Sequence, residues 1–292
     1  MKDQLLFRLW QYQKERFPLS ILLFTTLATV GSSWSLSSAP LAKALFLFFI
    51  TLLYMFHLRG FDEVKDYEHD SRHYPDRPIQ RNLVTLAELK FLTWSAIILE
   101  LVLNLGFNTL NGIGWYLIAL TYSLLTRKEF FARSWLRDHF FLYNFLHYIQ
   151  LGIFQIYVYA TLAPLQQTTS VVVWHWLLVL LLVLLMEFAR KMRSKEADHA
   201  NDTYSAKLGA KWVSVTYTFI FLTGLFLTSQ VLQGLQVSLI FLLLPISISV
   251  TALLFAFSYA FNQNRKNSSA IQACAFFFYL FCHLSIILGA NL

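Results

Sequence analysis

The residues best equipped for chemistry stand together at Asp62-Glu63-Val64-Lys65-Asp66-Tyr67-Glu68-His69-Asp70, followed at once by Ser71-Arg72-His73-Tyr74-Pro75-Asp76-Arg77-Pro78. Five carboxylates fall within nine residues, and Asp62, Asp66 and Asp70 recur every four. On a helix these three share a face, with Glu63 beside them, because residues four apart stack one above the other. A column of like charges is unfavourable unless a cation sits among them. The pattern predicts a divalent metal, and the apolar run from Ala42 to Leu58 just before it sets that metal at a membrane surface.

A second acidic group reads Glu187-Phe188-Ala189-Arg190-Lys191, then Glu196 to Tyr204, in which Asp198 and Asp202 are again four apart. Both groups lie beside basic residues at the end of an apolar segment, so they are expected to face one another across a bundle. Mg2+ takes six oxygens and is usually held by one or two carboxylates plus substrate phosphates. A diphosphate brings negative charge of its own, which Arg or Lys must meet. A charge run in a loop is ordinarily a solvated face; the repeated four-residue spacing argues instead for binding a metal and a phosphate.

The elements that must position these groups are apolar. The chain has 292 residues, 57% of them hydrophobic and only 13% charged, against roughly a quarter charged in soluble domains. The apolar residues come in long blocks, several of them exceeding the ~18 residues of a spanning helix. Nine candidate spans follow, at 17–35, 40–57, 86–105, 112–125, 140–163, 170–188, 212–232, 237–261 and 270–289. The expected fold is an all-α polytopic membrane protein, with residues 1–292 forming a single transmembrane domain.

Of the 23 Lys and Arg residues, all but Lys43 fall before the first span, in the loops on one side of these spans or, for Lys90, at that same end of the third span. Basic residues gather on the cytoplasmic side of membranes. The N-terminus and the acidic loops are therefore expected in the cytoplasm and the C-terminus on the opposite side. The net charge of +7 is a signal of topology, which removes nucleic acid as a partner. The first 17 residues lack a signal-peptide core and a small-residue cleavage site, so the first helix is expected to be retained. Cys274 and Cys282, both in the last span, are expected to be buried packing residues.

Asp62-Glu63-x-x-Asp66-x-x-x-Asp70 resembles the first Asp-rich motif of the UbiA superfamily of intramembrane prenyltransferases, Asn-Asp-x-x-Asp-x-x-x-Asp. Tyr74-Pro75-Asp76-Arg77-Pro78-Ile79 is similar to the Arg-Pro segment that follows it there. The stretch Tyr122 to Lys128 resembles that family's Tyr-Pro-x-x-Lys-Arg segment, and Lys14 and Pro18 its basic residue and proline before the first span. The resemblance implies a helical bundle around a central cavity, Mg2+ between two Asp-rich motifs, and transfer of an isoprenoid chain from its diphosphate. It gives catalytic roles to Asp62, Glu63, Asp66 and Asp70, with Glu63, Asp66 and Asp70 as metal ligands and Asp62 at the Asn position. Arg77, Arg127 and Lys128 would hold the diphosphate, with Lys14 at the family's basic position.

The second motif departs from the family pattern. Either Glu187 is the ligand and Arg190 and Lys191 contact the phosphate directly, or the loop folds back to present Asp198 and Asp202. The expected reaction is Mg2+-dependent transfer of an isoprenyl chain from its diphosphate to a lipophilic acceptor within membrane lipid. The rivals are a membrane terpene cyclase without acceptor and a non-catalytic binder of prenyl lipids. Glu100, inside the third span, is costly to bury and a functional candidate by default, but it lies toward the outer end, far from the diphosphate side, and is not expected to be catalytic. Asn144, His147, Gln150 and Gln155 are expected to bond between helices. His175, between Trp174 and Trp176, reads as an interfacial residue.

Overall fold

The computed structural model describes residues 2–197 and 203–291. A backbone in hydrocarbon must satisfy its hydrogen bonds internally, and the apolar blocks accordingly fold as helices. Among the described residues there are twelve α-helices and no strand. They are α1 (Lys2–Arg16), α2 (Leu19–Ser35), α3 (Leu41–Lys65), α4 (Tyr67–His73), α5 (Leu86–Phe107), α6 (Leu110–Arg127), α7 (Arg133–Asp138), α8 (Phe140–Leu162), α9 (Thr169–Arg190), α10 (Tyr204–Gly234), α11 (Leu243–Phe261) and α12 (Arg265–Ala290).

A helix stands at each of the nine predicted spans, but by length and hydropathy only five are sufficient to cross a membrane: α3, α9, α10, Leu239–Phe261 and α12. A sixth is possible if α1 and α2, bent by 64° at Phe17-Pro18, count as one broken span. The expected count of nine is not reached on these grounds. Within α5 and α8, Glu100, Asn104, Asn144, Gln150 and Gln155 are buried inside the protein. The chain is an integral membrane protein.

Two compact units divide the chain, Met1–Val30 with Ala39–Ala163, and Gly31–Ser38 with Pro164–Leu292. In the first, α3 packs on α5, α6 on α8, and α3 also meets α6 and α8. Its centre holds Leu47, Ile50, Tyr54, Tyr116 and Tyr157, all fully buried. Gly60 lets α3 approach α5 closely, since a Cβ there would overlap Thr93. In the second unit α9 packs on α10 and α12, and α11 on α10 and α12. There α10 starts before its predicted span and is interrupted at Gly209, whose φ of 77° suits a residue without a side chain. Cys274 and Cys282 are free thiols buried on α12, as expected.

Candidate functional site

The acidic column is built by α3 running past its predicted end. Apolar residues carry the helix to Lys65, and the hydrogen-bond ladder then passes through the bend at Asp66 into α4. The Asp66 N–H donates to the Asp62 carbonyl, Asp70 to Asp66, and Tyr74 to Asp70, each at 2.8 Å. The ladder thus runs on from Asp62 through Asp66 to Asp70, although Asp66 itself leaves helical geometry with φ −94° and ψ 3°.

Arginines surround this column. Glu63 is fully buried, and its Oε1 accepts from Arg16 Nε at 2.6 Å and from Arg59 Nε at 3.1 Å, with Arg59 Nη2 also in contact. Its Oε2 is buried with no hydrogen-bond partner. Asp70, also buried, forms an ion pair with Arg77 and lies 3.5 Å from Arg16 Nη2. The Arg77 guanidinium in turn stacks on the Tyr74 ring at 3.9 Å. Asp62 pairs with Lys65 at 2.9 Å, and Lys65 donates to His147 Nε2 at 3.1 Å. Such guanidinium–carboxylate contacts are the strong, charge-assisted kind.

Arg16 and Arg59 were not among the predicted site residues. Arg16 arrives because α1 is anchored beside the column. Arg8 grips Glu88 with both of its terminal nitrogens, and Glu88 also closes a capping box with Thr85 at the start of α5. Tyr12 is buried with Ile79, Val84 and Leu89. Lys14, the predicted basic residue, instead lies 5.0 Å over the Trp10 ring.

Arg127 and Lys128, predicted to hold a diphosphate, line a cleft of about 320 Å3 in the first unit together with Val64, Lys65, Glu68 and Lys90. Lys65, which pairs with Asp62, lines the same cleft, so the cleft adjoins the acidic column.

Inside the first unit, Glu100 is no isolated charge. His57 Nδ1 donates to it at 2.8 Å and Tyr116 at 3.1 Å, and its carbonyl accepts from Asn104 Nδ2 at 2.9 Å. Tyr157 donates to Asn104 at 3.0 Å. Gln150 accepts from Thr126 at 2.9 Å, the interhelical role expected of it, whereas Asn144 donates to Phe140 within its own helix. His175 corrects the sequence reading: it is fully buried, not interfacial, with Nε2 3.0 Å from Ser32 Oγ, while His283 Nδ1 lies 2.7 Å from the same oxygen.

In the second unit Glu187 pairs with Arg190 at 2.6 Å and with Lys191 at 3.4 Å, all within one stretch of α9 and its end. Asp198 and Asp202 lie outside the described residues.

Hard carboxylate oxygens suit Mg2+. Among the described residues, however, no group of three or more His, Cys, Asp or Glu side chains is arranged to hold a metal alone. The unpartnered Oε2 of Glu63 is one oxygen donor available to such an ion.

Residues 18–282 match the model of the UbiA prenyltransferase family. Comparison with curated protein sequences returns no match. Among solved structures, the chain is similar to digeranylgeranylglyceryl phosphate synthase at 18% identity and a TM-score of 0.65, covering 97% of this chain and 98% of that one. It is similar to a UbiA homologue from Aeropyrum pernix K1 at 14% identity and a TM-score of 0.66, covering 92% and 97%. A UbiA homologue from Archaeoglobus fulgidus, bound to GPP and Mg2+, is similar at 12% identity and a TM-score of 0.54, covering 94% and 99%. At these identities the likeness is one of fold.

Proposed function

The chain belongs to the UbiA prenyltransferase family, and from that premise we propose that it transfers an isoprenyl chain from its diphosphate to a lipophilic acceptor in the membrane, with Mg2+ as cofactor. The observation that carries this reading is the acidic column at the end of α3 with Arg16, Arg59 and Arg77 gathered on its buried carboxylates. The binding of GPP and Mg2+ by the Archaeoglobus homologue supports the substrate class.

On this reading Asp62, Asp66 and Asp70 hold Mg2+ with the free oxygen of Glu63 nearby. When bound, the metal would supply positive charge that stabilises the departing diphosphate. Arg16 and Arg77 meet the diphosphate oxygens, their planar forks suiting phosphate as they suit the carboxylates they now bind. Glu63 keeps Arg16 and Arg59 in place before substrate arrives, so little reorganisation is left for the reaction itself. Glu187, Arg190, Lys191, Asp198 and Asp202 remain candidate contacts of metal and diphosphate. The clustering of basic residues supports a cytoplasmic position for the acidic column.

The test is product analysis. Purified protein given Mg2+, prenyl diphosphates and a lipid extract should yield a prenylated lipid, identified by mass spectrometry. A terpene hydrocarbon or alcohol formed without the extract would make the protein a cyclase instead.

A further inference from the structure

Helix α1 presents an exposed apolar surface. Leu6, Phe7 and Trp10 are 68%, 59% and 53% exposed, on a helix that also carries Lys2, Asp3, Arg8, Lys14, Glu15 and Arg16. At roughly 100° per residue, the three apolar side chains leave the helix within a sector of about 100°. The groups that tie α1 to the rest of its compact unit leave from the other side. Leu9 and Tyr12 pack with Ile79, Val84 and Leu89, Arg8 holds Glu88, Glu15 accepts from Arg81, and Arg16 holds Glu63. The sector of Leu6, Phe7 and Trp10 is thus the face that the fold leaves outward.

The place of α1 says what lies against that face. The chain bends by 64° at Phe17-Pro18 as it passes into α2, because proline has no N–H for the ladder and pushes the residue before it out of helical geometry. On α2 the apolar surface continues, with Leu19, Ile21, Leu23, Phe24 and Leu27 all exposed. In a chain that spans the bilayer, such a surface faces hydrocarbon. At its other contacts α1 meets Glu63 near the end of α3 and Glu88 and Leu89 in the first turns of α5, which is one end of these membrane helices. A helix with this many charges does not lie in hydrocarbon, and one with a bare Leu, Phe and Trp on a single face suits the boundary between headgroups and acyl chains. Lys14, 5.0 Å over the Trp10 ring, sets a charge beside an aromatic ring at that level.

We propose that α1 is an interfacial helix that lies on the membrane with Leu6, Phe7 and Trp10 set into the lipid surface, the same bilayer that surrounds α2. Because Arg16 is the last residue of α1, this lipid seat also holds that arginine against Glu63 and Asp70. The membrane thus takes part in assembling the acidic column, whatever reaction the column performs.

The experiment places spin labels, one at a time, on L6C, F7C, W10C and E15C in the full-length protein in phosphatidylcholine nanodiscs. Cys274 and Cys282 are buried, and the wild type treated with label gives the background. Labels in place of Leu6, Phe7 and Trp10 should be relaxed more by oxygen, which concentrates in lipid, than by a water-soluble nickel chelate. The label in place of Glu15 should show the reverse. Stronger relaxation by the chelate at the three apolar positions would put the face in water and overturn the proposal. Dipolar broadening between singly labelled copies would give the face to a second copy of the chain, and would overturn it too. In the same nanodiscs, L6Q with W10Q should speed hydrogen exchange along α1 about tenfold, the factor that about 1.4 kcal/mol of lost burial represents, with α12 unchanged. Protection of α1 equal to that of the wild type would overturn the claim that lipid holds this helix and its Arg16.

Discussion

The acidic groups of the two compact units are built in different ways. In the first, Glu63 and Asp70 are buried and bound by Arg16, which arrives from another helix 47 residues before Glu63. In the second, among the described residues, Glu187 pairs with Arg190 and Lys191, three and four residues further along the chain, and is partly exposed. A local i,i+4 pair forms on almost any helix and contributes a few tenths of a kcal/mol. The first group exists only once the fold is complete. The difference shows where the protein has spent stability on arranging charge: at the end of α3.

That contrast can be broken or sharpened by mutation. The largest effect is expected from Glu63→Ala, which leaves Arg16 and Arg59 facing each other without their shared carboxylate. Removing one partner of a buried pair costs about 3–5 kcal/mol, so the thermal transition in detergent should fall sharply. A transition unchanged from wild type would mean that the arginines are held by something else. Glu100→Ala should come next, at about 3 kcal/mol by the same reasoning, because His57 and Tyr116 lose their acceptor. Glu100→Gln keeps an acceptor and should cost less while leaving turnover intact; loss of turnover in the folded Gln variant would give Glu100 a chemical role. Gly60→Ala should cost about 1–3 kcal/mol by forcing α3 from Thr93, and should lower activity with stability because the column hangs from that part of α3. The smallest effect belongs to Glu187→Ala, below about 1 kcal/mol in stability. A loss as large as that of Glu63→Ala would erase the distinction between the two units.

What the sequence made legible was what short spacing encodes. Asp62, Asp66 and Asp70 are one helical turn apart, and Arg77 follows within the same segment, so their association could be read locally. Glu63 with Arg16 could not, since nothing in a linear sequence marks two residues so far apart as neighbours. That Arg16 joins Lys14 as a basic residue of interest on α1 was hidden for a related reason. Two positions on a helix are about 200° apart in direction, and only the packing of Tyr12 on Ile79, Val84 and Leu89 decides which one faces the column. His175 misled because flanking tryptophans imitate an interfacial setting, while its partners, Ser32 and His283, lie far away in the chain. The helical segments themselves were legible because their apolar blocks are long. The number of them that cross was not, because length and composition alone qualify five of the helices, or six if the bent pair α1 and α2 is one span.

The central claim is that the acidic column of α3 and α4 ionises a prenyl diphosphate. Release of diphosphate by purified protein, with Mg2+ and prenyl diphosphates of several chain lengths, tests it most directly. The account predicts release by the wild type that disappears on removing Mg2+ or in Asp66→Ala. Neither release nor binding at any chain length, or full activity in Asp66→Ala, would contradict it.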